Sequence, residues 1–114
     1  MTLAHIVRAY GAARAARDPR EQEADVIRRV TFGLRAALDD DGPARVRAVA
    51  DNRRLWLAME SALLHPSNQL PPPMRAGLVS LGRAVQREMD GPAPDIAFLI
   101  EVNEQVATGL LGGG

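Results

Sequence analysis

Four clusters of turn-forming residues cut this chain and leave only helix-length segments between them. They are Asp18-Pro19-Arg20-Glu21, the run from Asp39 to Pro43, the stretch from His65 to Pro73, and Asp90-Gly91-Pro92. Proline lacks a backbone N–H and has a fixed φ, so it opens or ends helices and is not accommodated inside them. Each intervening segment repeats apolar residues every three or four positions, the period of a helix face. The spacing predicts helices at about Thr2–Arg17, Pro19–Leu38, Pro43–Leu64, Pro73–Met89 and Pro94–Leu110. Asp18 is placed as an N-cap, with Pro19 at the first helical position and Glu21 completing a capping box. No segment alternates as a strand does. The expected fold is therefore all-α, a compact single domain of about five amphipathic helices over residues 1–111, with a flexible glycine tail at 112–114.

Composition fits this fold. Aromatic residues make up 4% of the 114 positions, so the core must be Leu, Val, Ile, Ala and Met, which suits packed helices better than sheets. The expected inward faces include Ile27, Val30, Leu34, Ala37 and Leu38 on the second helix. On the third they are Val46, Val49, Ala50, Trp56, Leu57, Leu63 and Leu64. On the fourth they are Met74, Leu78, Leu81, Val85 and Met89, and on the fifth Ile96, Leu99, Ile100, Val106, Ala107 and Leu110.

Several functions are excluded or disfavoured on chemical grounds. There is no cysteine, so disulfides and thiolate metal sites are ruled out. The formal net charge is zero, which argues against bulk attraction to nucleic acid or anionic membrane. All fourteen basic residues are arginine, which codon usage alone can produce. Residues 1–54 hold eleven arginines against eight acids, and residues 55–114 hold three against six. Such modest asymmetry reads as solvated surface. No apolar run approaches the ~20 residues of a membrane span. Residues 1–17 lack acids and carry Arg8, Arg14 and Arg17, but they read as a first structural helix and not as a presequence. His5 and His65 are the only imidazoles, and no carboxylate pattern joins them into a metal site. Ser61, Ser67 and Ser80 lack a nucleophile elbow, and no glycine-rich phosphate loop is present. Neither catalysis, a metal nor a cofactor is expected.

Polar residues on apolar arcs are more informative. Arg53 and Glu60 fall on the inward arc of the third predicted helix, and Asn103 on that of the fifth. Unpaired buried polar groups are costly. Either these three form a buried cluster that fixes helix register, or they form the polar floor of a partner groove. The first is preferred, because buried polar groups ordinarily pair internally. Phe32 projects away from the Ile27–Leu34 face, on an arc with Arg28 and Arg29. It is either covered by the first helix, the preferred reading, or an exposed contact. Trp56 reads as core. Gly77, Ser80 and Ala84 form a small-residue stripe that permits close packing.

The order of these motifs resembles the FlaF family of alphaproteobacterial flagellar biosynthesis regulators. The matching pieces are Ala9-Tyr10, Asp18-Pro19-Arg20-Glu21, Asn52-Arg53-Arg54-Leu55-Trp56, Leu70-Pro71 with the run Met74 to Gly82, and Leu99-Ile100-Glu101-Val102-Asn103. One departure is Arg83, where the resemblance implies an apolar or aromatic residue. The resemblance implies a cytoplasmic, non-enzymatic protein that supports flagellin synthesis and secretion. It implies flagellin as a direct partner, bound as by a chaperone, and a link to the regulator FlbT in controlling flagellin expression. Direct RNA binding through Arg8, Arg14, Arg17, Arg28 and Arg29 is the weaker alternative, since those arginines lack interleaved aromatics. The partner surface is placed on Asn52, Arg53, Arg54, Leu55, Trp56, Leu70, Met74, Leu78 and Val79. Leu55 and Val79 are expected to be exposed apolar contacts, with Arg54 at the rim.

Overall fold

The computed structural model describes residues 19–110. Four helices lie among them: α1 (Pro19–Ala36), α2 (Pro43–Leu64), α3 (Pro72–Asp90) and α4 (Ile96–Leu110). The described residues are all-helical, with no strand. They contain four helices and not about five; the helix expected over Thr2–Arg17 and its neighbour Asp18 lie outside them, as does the glycine tail.

Local chemistry accounts for the boundaries. After Ala36 the helical pattern of α1 gives way to tighter turns, with the Leu38 N–H on the Arg35 carbonyl and the Asp40 N–H on the Ala37 carbonyl. Leu38, expected in the helix, therefore sits in the turn and is exposed. The Asp40 carboxylate accepts the Gly42 N–H at 2.7 Å, which shapes the approach to Pro43 at the start of α2. α2 ends at His65, and Asn68 stabilises the turn that follows. Its Nδ2 donates to the Ala62 carbonyl at 3.0 Å, and its Oδ1 accepts the Leu70 N–H at 3.0 Å. Asp95 caps α4 by accepting the Phe98 N–H at 3.0 Å. This satisfies an orphan donor of the first turn and moves the start of α4 two residues beyond the expected Pro94.

α1 packs along α4, α2 lies against α1, and α3 packs on α2. The core is apolar and largely aliphatic. Ile27 and Leu34 come from α1, Leu55, Trp56 and Met59 from α2, Val85 and Met89 from α3, and Leu99 and Ile100 from α4. Burying each Leu or Ile contributes about 1.5–3 kcal/mol. Thr31 lies within the buried stripe of α1, where its hydroxyl donates back to the Ile27 carbonyl at 2.7 Å, so burial leaves no orphan.

α2 differs most from its expected orientation. Val46, Leu57 and Leu64, expected inward, are 69%, 52% and 59% exposed. Leu55, expected outward, is buried. The buried stripe is Ala48, Asn52, Leu55, Trp56, Met59 and Leu63. α2 carries apolar residues around most of its circumference, and two members of the true core stripe are a small alanine and an asparagine. Neither stands out when apolar residues are counted, so periodicity found Trp56 and Leu63 of the buried stripe but missed its other members. Phe32 is also exposed, at 73%, against the expectation that it is core. Met74, expected in the stripe of α3, lies exposed near its start.

Candidate functional site

Two asparagines hold α2 and α4 together around the tryptophan. Asn52 and Asn103 are fully buried, and Trp56 nearly so. The Trp56 indole Nε1–H donates to Asn103 Oδ1 at 2.9 Å. Asn103 Nδ2 donates to Asn52 Oδ1 at 2.7 Å, and Asn52 Nδ2 reaches the Met89 sulfur on α3 at 3.4 Å. An amide facing apolar surroundings costs several kcal/mol unless it is paired; here each amide finds its partner on a different helix. On the far side, Gly82 lets α3 approach the indole. A β-carbon at that position would stand 3.2 Å from Trp56 Cε3.

The three polar residues expected to form one cluster do not meet. Asn103 takes part in the asparagine pair. Arg53 and Glu60 instead point along the seam between α2 and α3, half-buried. Arg53 Nη1 pairs with Asp90 Oδ1 at 2.5 Å, and its Nη2 donates to the Met89 carbonyl at 3.2 Å. That carbonyl belongs to the last turn of α3, where acceptors lack helical partners and a cation is favoured. Glu60 lies 3.8 Å from Arg83. The register-fixing role expected of the trio thus belongs to Asn52 and Asn103 with Trp56. The usable signal was two asparagines inside helices, positions where asparagine is poor without a specific partner.

The residues placed on the partner surface scatter. Asn52, Leu55 and Trp56 are core. Arg54 is exposed and lies 3.5 Å from Asp51 on its own helix. Leu70, Leu78 and Val79 are half-buried, and Met74 is exposed. Of these, Val79 lines an open groove of about 630 Å³ where the end of α2 meets the first half of α3. Its walls are Leu63, Leu64, Pro66, Pro72, Ala76 and Val79, with Arg75, Arg83 and His65 as the ionisable groups. The His65 ring serves its own turn, with Nδ1 accepting the Ser67 N–H at 3.1 Å. Arg83, the departure from the expected apolar pattern, stands exposed at the rim.

A second, smaller hollow of about 240 Å³ lies between α1 and α4, bordered by Phe32, Arg28, Arg35 and Glu104. Arg35 pairs there with Glu104, tying α1 to α4. Among the described residues no three His, Cys, Asp or Glu side chains converge as metal ligands. No helix among them is long and apolar enough to cross a membrane.

A family model described as flagellar protein FlaF matches residues 7–110. No curated protein matches the chain, and no solved structure does.

Proposed function

The chain belongs to the FlaF family of flagellar proteins, and from that premise we propose that it is a non-enzymatic, cytoplasmic chaperone that binds monomeric flagellin and supports its synthesis and secretion. The observation that carries this reading is the uncovered apolar side of α2. Val46, Leu57 and Leu64 are large, exposed and on one helix, and the last of them opens into the α2–α3 groove. A row of apolar side chains beside a groove suits capture of an amphipathic helix, the kind of segment that flagellin's termini present before assembly. This replaces Leu55, which is core, with Leu57 and Leu64 as the apolar contacts; Val79 stays.

Calorimetry with purified monomeric flagellin is the direct test. The wild-type chain should form a complex without nucleotide or metal. Leu57→Asp and Leu64→Asp should keep the helical spectrum, because both positions are exposed. Each should weaken binding about 10- to 100-fold, the equivalent of roughly 1.5–3 kcal/mol for a buried leucine. No complex at tens of micromolar refutes the chaperone reading and favours an adaptor that acts with FlbT on flagellin expression. Phe32 supports that second reading, since it offers an exposed aromatic contact beside a different pair of helices. A steep loss of affinity with salt would instead point to RNA.

A further inference from the structure

We infer that the α2–α3 seam accepts a partner α-helix whose apolar face is bordered by carboxylates two turns apart, with Leu64 and Val79 meeting the apolar face and Arg75 and Arg83 meeting the carboxylates. This deepens the flagellin-binding reading, on which it rests only for the partner's identity.

The helical form of the partner follows from the line of exposed residues on α2. Val46, Leu57 and Leu64 are separated by multiples of the helical repeat, so at ~100° per residue they fall within about 20° of one line. Arg53 and Glu60 lie within about 40° of the same line. Both reach across to α3, at Asp90 and Arg83. The line lies on the exposed side of α2, and its C-terminal member, Leu64, meets the α2–α3 groove. From Val46 to Leu64 it is about 27 Å long, the length of a helix of ~18 residues. Leu57 and Leu64, seven residues apart on that line and ending at the groove, match the i, i+7 spacing of anchors for a helix laid in a groove.

The acidic border follows from charge. The groove walls carry Arg75 and Arg83 and no carboxylate. Among the described residues the ion-pair partner of Arg83 is Glu60, at 3.8 Å. Arg75 makes one long bond, Nη1 to the Asn68 carbonyl at 3.5 Å, and has no carboxylate partner among the described residues. The two arginines lie on one helix about 12 Å apart along its axis, which sets the spacing of the partner's carboxylates. A phosphate backbone is a poorer occupant, because the walls between the cations are aliphatic and provide no stacking platform.

The test uses two synthetic helical peptides of 18 residues with the same Leu/Ile face, one bordered by glutamates and one by lysines, together with monomeric flagellin. Binding is read by fluorescence anisotropy at low and high salt. The glutamate peptide should bind about tenfold more tightly than the lysine peptide, with the difference shrinking in salt, as expected for two partly exposed ion pairs. The double variant Arg75→Glu/Arg83→Glu should reverse the preference while keeping its helical spectrum and melting temperature. Equal binding of the two peptides, a preference unmoved by the charge reversal, or displacement of the glutamate peptide by single-stranded RNA overturns the proposal. Peptide discrimination without flagellin binding leaves this inference standing and removes flagellin as the partner. Flagellin binding that responds to Leu64→Asp but not to the charge reversal keeps the chaperone and discards the acidic border.

Discussion

Replacing Asn103 by leucine tests whether the two buried asparagines act as one unit. The substitution keeps the branched four-heavy-atom shape, though leucine is bulkier, and removes the acceptor of the Trp56 indole N–H and the donor to Asn52 Oδ1. All three side chains are sealed from water, so neither orphan is rescued by solvent. At about 1–3 kcal/mol per orphan, Asn103→Leu should cost about 2–6 kcal/mol. Asn52→Leu strands only the Asn103 amide and should cost about 1–3 kcal/mol. In the double variant only the indole N–H is left unpaired, so the cost returns to about 1–3 kcal/mol. Independent action would instead put the double at the sum, about 3–9 kcal/mol. The difference exceeds the ~0.5 kcal/mol scatter of uncoupled sites and is a large fraction of the ~5–15 kcal/mol stability of a domain. Urea unfolding followed by far-ultraviolet circular dichroism measures all four corners of the cycle. The single tryptophan gives a second, local probe. A neutral Asn103→Leu, or a double variant as unstable as the sum, would refute the reasoning that the pair forms one network.

Two glycines of α3 should respond with opposite sign. Gly82→Ala places a methyl 3.2 Å from the buried indole, so overpacking of about 1–3 kcal/mol should outweigh a helix-propensity gain of about 1. Gly77→Ala meets nothing within 4 Å and should raise stability by about 0.5–1 kcal/mol; melting temperatures distinguish the two. Arg53→Ala should cost only about 1 kcal/mol by urea titration, because the Arg53 side chain is 36% exposed and that of Asp90 64% exposed, which screens the pair. A loss of about 3–5 kcal/mol would mean that the pair behaves as a buried one.

The candidate site was only partly legible before the fold was known. Val79, expected to be an exposed contact, is half-buried and lines the α2–α3 groove, and Trp56 was correctly read as core. Leu55 and Phe32 were assigned the wrong environments, and the supposed trio of Arg53, Glu60 and Asn103 divides between a buried amide pair and two seam ion pairs. The groove itself could not be read in advance, since it joins the end of α2 to the first half of α3 across a turn held by Asn68. Which arginines border it depends on how that turn closes.

From the sequence alone, the helical class and the segment boundaries of α1, α2 and α3 were accessible to within about two residues. Their causes are local: proline opens helices, glycine and aspartate end them, and apolar residues recur with the helical period. Asp95 capping α4 is local too, although Pro94 obscured it. Tertiary structure alone decided which arc of α2 faces inward. That helix carries apolar residues on nearly every side, so several rotations bury similar apolar area. The rotation that occurs satisfies Asn52 against Asn103 and brings Gly82 against Trp56. Pairing of buried polar groups and close approach of helices are properties of two elements at once, and neither appears in the periodicity of one.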